Sequence, residues 1–180
     1  GYGDVISPPD ATPLKQGDVL MLDTGATLNG YFCDFDRNFS IGEPHDAVKR
    51  AHETLWLATE AGLAAARPGA TCAQIFHAMQ QVIDASSNGN GNGNGSGAVG
   101  RLGHGLGIQL TETPSLIDWD ETVMQEGAVM TLEPSMAVPA STTDMAGVIP
   151  GILVHEENIV IRDGEPQLLT RRASRQMVNV

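Results

Sequence analysis

The stretch RLGHGLGIQLTETPS, residues 101–115, places a single histidine between two glycines. Because Gly103 and Gly105 carry no side chain, we expect them to leave the imidazole of His104 accessible to a ligand. Seven residues after His104 the chain has Thr111, a hydroxyl side chain in the context TETP. We therefore predict that this stretch crosses a functional site in which His104 supplies a nitrogen ligand.

Four acidic residues elsewhere in the chain stand within or directly after apolar segments, where burial of a charge is unfavourable. Asp23 follows VLML, Asp34 follows YFC, Glu133 follows AVMTL, and Glu156 lies between GILVH and IVI. A buried carboxylate without a partner costs several kcal/mol, so such a set requires a shared cation or cationic side chains. Of the 10 Lys and Arg residues, only Arg37 is adjacent to this set. The pattern favours a metal cluster, although each carboxylate taken alone is also compatible with a satisfied turn or strand end.

The donor types in this set indicate which ions the cluster would hold. Carboxylate oxygens combined with one imidazole suit Mn, Co, Fe(II) or Zn. Two such ions, roughly 3.5 to 4 Å apart, can be bridged by carboxylates and share a hydroxide. We therefore predict two divalent metal ions as the cofactor.

The hydrophobic pattern around the candidate ligands predicts an α+β domain. We expect strands at residues 17–26, 30–40, 123–138 and 147–170, and amphipathic helices at residues 45–67 and 71–85. The pair Asn29-Gly30 commonly forms a tight hairpin turn. Thr71 and Gln74 occupy the positions of a capping box at the start of the second helix. This order of elements predicts helices packed on one face of a mainly antiparallel sheet.

Residues 86–100, SSNGNGNGNGSGAVG, form a low-complexity segment. Such a composition cannot bury apolar area and predicts a flexible surface loop. The chain of 180 residues fits one domain, because a single core of this size buries about two thirds of the unfolded surface. We expect residues 1–180 to form one catalytic domain that contains this loop.

Composition excludes several classes of partner. The chain carries 22 acidic residues against 10 Lys and Arg, for a formal charge of -12. This balance argues against nucleic acid and anionic membrane surfaces as partners. Two cysteines are too few for a disulfide framework, and no apolar run reaches the roughly 20 residues of a membrane span. With no signal peptide preceding the domain, we expect a cytoplasmic protein.

The five candidate ligands and their contexts closely resemble one known family. The contexts are LDTG at Asp23, GYFCDFDRNF at Asp34, GHGLG at His104, TLEP at Glu133 and HEENIVI at Glu156. This ordered pattern, over residues 17–164, resembles the creatinase, prolidase and methionine aminopeptidase superfamily, metallopeptidase family M24, and within it the prolidase-like Xaa-Pro peptidases. The resemblance implies the pita-bread fold, two pseudo-symmetric halves around a curved antiparallel sheet with helices on the outer face. It further implies that the first half is incomplete in this chain.

The resemblance also implies roles for individual residues. The family's five metal ligands carry over to Asp23, Asp34, His104, Glu133 and Glu156, with Asp23 bidentate and with Asp34 and Glu156 bridging. Glu133 and His104 would be catalytic, Glu133 as the acid/base group that handles the proton of the attacking water. The implied activity is hydrolysis of an amide or imide bond in a small peptide by a hydroxide shared between two metal ions. A homodimer is the assembly common in the family.

Several positions depart from the family pattern. Thr111 stands where the peptidases have a second histidine, and the segment VISPP lacks the upstream histidine that contacts substrate. Val154 replaces an arginine, and Ser135 replaces a glycine. A threonine hydroxyl can contact a substrate but cannot shuttle protons near neutral pH as imidazole does. The peptide-handling part of the site is therefore predicted to be altered.

Asp36 occupies a position that is more often threonine in the family. As a substrate contact, it would add an anion to the pocket and favour a cationic substrate. The alternatives are a salt bridge to Arg37 and simple exposure to solvent. Thr111 and Asp36 are thus the two candidate substrate-binding residues.

Three functions remain open at this point. The first is a hydrolase that acts on Xaa-Pro dipeptides or similar imides. The second is a divergent member that hydrolyses or cleaves a small non-peptide metabolite, such as an osmolyte. The third is a non-catalytic binding module, against which the complete set of ligands argues.

Overall fold

The computed structural model describes residue 11 and residues 13–87, 100–138 and 151–180. In these parts of the chain it has two helices and ten strands. They are β1 (Val19–Leu28), β2 (Tyr31–Ser40), α1 (Asp46–Ala65), α2 (Cys72–Ser87), β3 (His104–Gly105), β4 (Glu112–Ser115), β5 (Val129–Leu132), β6 (Ser135–Val138), β7 (Gly151–Val154), β8 (Glu157–Val160), β9 (Gln167–Leu168) and β10 (Val178–Asn179). The predicted α+β class is confirmed.

The strands form three sheets, with orders β1-β2-β10, β4-β3-β5-β8-β9 and β6-β7. All pairs are antiparallel except β10 with β2. The predicted flexible loop at 86–100 lies mostly outside the described residues, and its first two residues, Ser86 and Ser87, belong to α2. Within the described part, neither helix is long and apolar enough to cross a bilayer.

The hairpin of β1 and β2 closes at the predicted turn. Asn29 and Gly30 both have positive φ, 53° and 85°, which is the conformation that a two-residue type I′ turn requires. The turn fixes the register, so that Asp23 lies opposite Asp36 and Gly25 lies opposite Asp34. Because directly opposed residues share a face of the sheet, all three aspartates project to one side.

The two helices pack against each other beneath the sheets. In α1, Val48, Ala51, Leu55 and Ala58 are buried at helical spacing. The predicted capping box is present at the start of α2: the amide of Gln74 donates to Thr71 Oγ1, and the amide of Thr71 donates to Gln74 Oε1.

Helix α1 contacts β5, β6 and β7. The core joins side chains from both helices and from the five-stranded sheet, among them Leu55, Met79, Met130, Leu132 and Ile159. This core supports β3, β5 and β8, the strands on or beside which His104, Glu133 and Glu156 lie.

Candidate metal centre

Asp34 is held in place by a residue from the other sheet. The side-chain oxygen of Asn158 accepts a hydrogen bond from the Asp34 amide at 3.0 Å, and its Nδ2 donates to the Asp34 carbonyl oxygen. This two-point contact joins β2 to β8. Gly25 is required opposite Asp34, because a Cβ there would collide with the carbonyl oxygen of Cys33.

His104 lies at the start of β3, and its side chain is only 2% exposed. The flanking glycines therefore do not expose the imidazole to solvent, and its access to a ligand stays a prediction. They serve close strand packing instead: a Cβ on Gly103 would meet the main chain of Thr131, and one on Gly105 would meet the main chain of Thr113.

The tautomer of His104 follows from its neighbours. Nδ1 lies 2.9 Å from the Gly105 carbonyl oxygen, and since a carbonyl only accepts, Nδ1 carries the proton. Nε2 is then a lone-pair donor for a metal ion, the usual arrangement of a ligating histidine. Burial lowers the pKa of this imidazole below its ordinary value, which keeps it neutral.

The ligand atoms of three residues converge. Donor atoms of Asp34, His104 and Glu156 all lie within 4.8 Å of one another. Nε2 of His104 is 3.8 Å from Asp34 Oδ2 and 3.7 Å from Glu133 Oε2. These separations are too long for hydrogen bonds and suit atoms arranged around a common ion.

Two acceptors at this centre have no hydrogen-bond partner among the described residues. They are Oε2 of Glu133 and Oε1 of Glu156, both buried. Native proteins pair nearly all buried polar atoms, so an orphaned carboxylate oxygen needs an explanation. Oxygen donors beside one imidazole nitrogen fit Mn, Co, Fe(II) or Zn, and the residues present therefore fit divalent ions.

Burial and the neighbouring carboxylates both raise the pKa values of the acids at this centre. Burial, followed by the charges of Glu133 and Asp34, raises the pKa of Glu156 to about 10. Burial also raises the pKa of Glu133 to about 7, and burial together with Asp23 raises that of Asp34 to about 6. Bound cations would lower these pKa values again, because they stabilise the ionised carboxylates.

Asp23 shares the hairpin face with Asp34 but is exposed. Neither Asp23 nor Glu133 belongs to the group of donor atoms within 4.8 Å. The ligand roles of all five residues stay predictions, supported for Glu133 by its distance to His104.

The two candidate substrate-binding residues occupy very different positions. Thr111 is exposed and directly precedes β4. Asp36 is only 3% exposed, and its Oδ1 has no hydrogen-bond partner within the described chain. Arg37 donates to the main-chain oxygen of Asp36, and its ion pair is with Glu157. Both alternatives for Asp36, a salt bridge to Arg37 and solvent exposure, are therefore wrong.

Arg101 is a residue of this site that the sequence interpretation missed. Its charge lowers the pKa of Asp34 and of Glu133, partly offsetting the rise from burial. Its Nε is buried without a hydrogen-bond partner in the described part of the chain. The signal available in the sequence was its position three residues before His104.

Comparison with known proteins identifies relatives of this chain. The family model described as Metallopeptidase family M24 matches residues 4–163. The putative dipeptidase YkvY of Bacillus subtilis is 31% identical over 156 residues, which are 87% of this chain and 39% of that protein. The Xaa-Pro dipeptidase of Pyrococcus furiosus is 27% identical over 155 residues, 86% of this chain and 40% of the relative. The chain thus spans about two fifths of the length of these relatives.

A solved structure shows the same fold. The dipeptidase of Pyrococcus horikoshii OT3 superposes with a TM-score of 0.84 at 27% identity, and the match covers 99% of this chain and 46% of that one. The fold expected from the resemblance is confirmed.

Proposed function

This chain belongs to metallopeptidase family M24, and we propose that it carries the metal centre of a hydrolase that cleaves the amide or imide bond of a small peptide of the Xaa-Pro type. The observation that carries the proposal is the convergence of Asp34, His104 and Glu156 donor atoms within 4.8 Å. The name of the Pyrococcus furiosus relative, Xaa-Pro dipeptidase, supports the substrate class.

We propose that Asp23, Asp34, His104, Glu133 and Glu156 together hold two divalent ions. When bound, such ions polarise a substrate carbonyl and lower the pKa of water to near neutrality. His104 contributes a neutral nitrogen, because its Nδ1 proton is directed to the Gly105 carbonyl oxygen. Asn158 keeps Asp34 in register with the strand that follows Glu156.

Glu133 is proposed as the group that moves the proton. Its carboxylate accepts the proton of the attacking water and passes it to the leaving nitrogen. Without metal, burial raises its pKa to about 7, and bound cations would favour the ionised form, which is the form that accepts the proton of the attacking water. Its Oε2 is buried without a hydrogen-bond partner in the described residues, so the lone pairs are available for this transfer.

Thr111 favours a second candidate function. The hydroxyl cannot assist at the scissile amide by proton transfer as the second imidazole of the peptidases would. This change in the peptide-handling part of the site makes a small non-peptide metabolite the alternative substrate class. The exposed position of Thr111 leaves its hydroxyl free to contact either kind of substrate.

Other features of the whole protein follow as proposals. We expect residues 1–180 to act as one catalytic domain in the cytoplasm. A homodimer is the predicted assembly, and neither nucleic acid nor membrane is a predicted partner, in keeping with the charge of -12.

The test is hydrolysis by metal-loaded protein. Protein dialysed against Mn, Co, Zn or Fe(II) is incubated with glycyl-proline, alanyl-proline and a panel of small amides and osmolytes, and the products are resolved by chromatography. The proposal expects release of proline that a chelator abolishes. Metal binding with cleavage of the small amides alone would support the second function and contradict the first.

A further inference from the structure

The proposed ligands come from two sheets whose main chains are not joined directly. Asp34 lies on β2, which pairs with β1 and β10, whereas Glu156 directly precedes β8 of the five-stranded sheet. Within the described residues, no main-chain hydrogen bond connects β2 with residues 154–158. A main-chain ladder therefore does not set the spacing between Asp34 and Glu156.

Side chains connect β2 to residues 154–158 instead, and we call this contact the seam. At one end of the seam, the side-chain amide of Asn158 bonds to the main-chain amide and to the carbonyl oxygen of Asp34. In the middle, Nη1 of Arg37 donates to the carbonyl oxygen of Asp36 at 2.7 Å and to that of Glu156 at 2.8 Å. One nitrogen atom thus joins the main chains of the two ligand-bearing segments.

The connections follow the register of an antiparallel strand pair. At the other end of the seam, Nδ2 of Asn38 donates to the carbonyl oxygen of Val154 at 2.5 Å. Each advance of two residues along β2, from position 34 to 36 to 38, is matched by two residues back along the other segment, from position 158 to 156 to 154. Antiparallel strands pair in the same order. Side chains therefore take the place of a main-chain ladder between the two sheets.

Arg37 is itself held by further contacts. Its Nη2 donates to Oε2 of Glu157 at 3.0 Å and to the carbonyl oxygen of Arg171 at 2.6 Å. The guanidinium carbon lies 5.2 Å from the ring centroid of Phe35. Because the donors of a guanidinium form a rigid planar fork, these contacts fix the direction of Nη1 as well.

We propose that Arg37 is a positioning residue of the metal centre, whose Nη1 sets the spacing across the seam and thereby brings the donor atoms of Asp34 and Glu156 together. This inference rests on the proposed function, because it concerns residues that would hold the ions. Donor atoms of Asp34, His104 and Glu156 lie within 4.8 Å of one another. Carboxylates this close repel each other when they are ionised, so contacts outside the ligand set have to keep them together. Arg37 acts through the main chain and not as a ligand.

A positioning role and a purely electrostatic role of Arg37 predict opposite effects of substitution. Removing a nearby positive charge alone would favour a divalent cation, so Arg37→Gln would bind metal more tightly. Loss of the Nη1 bonds would instead let the seam relax and would weaken metal binding. Arg37→Lys separates the two roles: it keeps the charge, but a compact ammonium lacks the planar fork that holds both carbonyl oxygens and the Glu157 carboxylate.

Metal binding in the absence of substrate tests this inference. Mn²⁺ affinity is titrated by electron paramagnetic resonance of the free ion, and visible absorption of the Co²⁺-loaded protein reports the arrangement of the ligands. Arg37→Lys and Arg37→Gln should each weaken Mn²⁺ binding by about 10- to 100-fold and should alter the Co²⁺ spectrum. Arg175→Lys, at an exposed arginine paired with Glu53, should leave both unchanged. Glu157→Gln, which keeps the Nη1 bonds, should retain the wild-type spectrum.

The outcomes separate this inference from the proposed function. Wild-type affinity and spectrum in both Arg37 variants, or tighter binding by Arg37→Gln, would overturn the positioning role. The measurement needs no hydrolysis, so a chain that binds metal but cleaves no Xaa-Pro peptide would contradict the proposed function alone. A wild-type protein that binds neither ion would overturn both.

A second measurement covers the case in which the Arg37 variants do not fold. Crystals of the wild-type protein, grown with Mn²⁺ and after treatment with chelator, should show the same distance between the carbonyl oxygens of Asp36 and Glu156. Arg37 should bond to both oxygens in each crystal. A seam that opens when the metal is removed would show that the ions set the spacing, and would overturn the role of Arg37.

Discussion

Two adjacent glutamates, Glu156 and Glu157, experience opposite surroundings. Both are buried, 3% and 0% exposed. The Glu157 carboxylate accepts from Arg37, Arg172, the Thr170 hydroxyl and a main-chain amide. Oε1 of Glu156 has no hydrogen-bond partner in the described residues, and burial beside other carboxylates raises its pKa to about 10.

The difference separates a structural acid from a metal ligand. A buried carboxylate is stable when donors surround it, as around Glu157, or when a metal ion is supplied from outside. The same logic distinguishes Glu133, whose Oε2 has no hydrogen-bond partner in the described residues, from the paired acids of the surface. Each prediction below tests this contrast, beginning with the largest expected effect.

Glu133→Gln should reduce turnover by about 10²- to 10⁴-fold, because the amide cannot carry the proton between water and leaving group. Circular dichroism should remain that of the wild type. Glu126→Gln, in an exposed turn, serves as the control. Turnover of Glu133→Gln near the wild-type rate would remove Glu133 from the proposed mechanism.

Substitution of Glu157 should affect folding stability more than metal binding, and substitution of Glu156 should do the opposite. Glu157→Gln should lower the free energy of unfolding by about 3 kcal/mol, since two partly buried arginines lose the fully buried carboxylate that they share. Glu156→Gln should cost the metal-free protein little, because the raised pKa of about 10 already keeps this carboxyl protonated and neutral there, yet it should weaken metal binding strongly. Urea unfolding and metal titration of both variants measure this. Equal destabilisation of the metal-free protein by the two substitutions would refute the contrast.

The pKa shifts predict an unusual pH dependence for the metal-free protein. The folded-state pKa values of Asp34, Glu133 and Glu156 are raised to about 6, 7 and 10, above their unfolded values. The folded state therefore holds more protons than the unfolded state between about pH 4 and 10, and stability from these groups declines as pH rises. Unfolding midpoints in chelator at pH 5, 7 and 9 should fall, and added Mn should reduce the fall. A midpoint that rises with pH, with no change when Mn is added, would contradict the shared-cation account.

Arg101→Gln should have the smallest effect. The guanidinium disfavours protons and metal cations alike at Asp34 and Glu133, and a divalent ion gains more than a proton when this charge is removed. Metal affinity should therefore rise by a modest factor at pH 8, where few protons compete, and by a smaller factor at pH 6. Arg162→Gln, an exposed arginine, is the matched control. An unchanged affinity at both pH values would show that Arg101 does not influence the centre.

The sequence predicted those parts of the site that depend on local pattern. Asp34 and Glu156 were predicted as ligands because they interrupt apolar strands. The Asn-Gly turn was also predicted, and it fixes the hairpin register that sets Asp34 opposite Gly25. The helices and the capping box of Thr71 and Gln74 were also predictable, because their signals lie within a few residues.

Contacts between distant segments were not predictable. Asn158 lies 124 residues from Asp34, and His52 lies 103 residues from His155. The spacing of residues along the sequence does not predict such pairs, because they depend on how β2, β8 and α1 pack together. The burial of Asp36 was missed for the same reason.

Metal content per chain tests the central claim most directly. Elemental analysis of wild-type protein after loading with Mn and exhaustive dialysis should give about two ions per chain. The Glu156→Gln variant should lose metal, and Asp163→Asn should retain it. A folded wild-type chain that holds no metal under these conditions would contradict the assignment of this carboxylate and imidazole cluster as a metal centre.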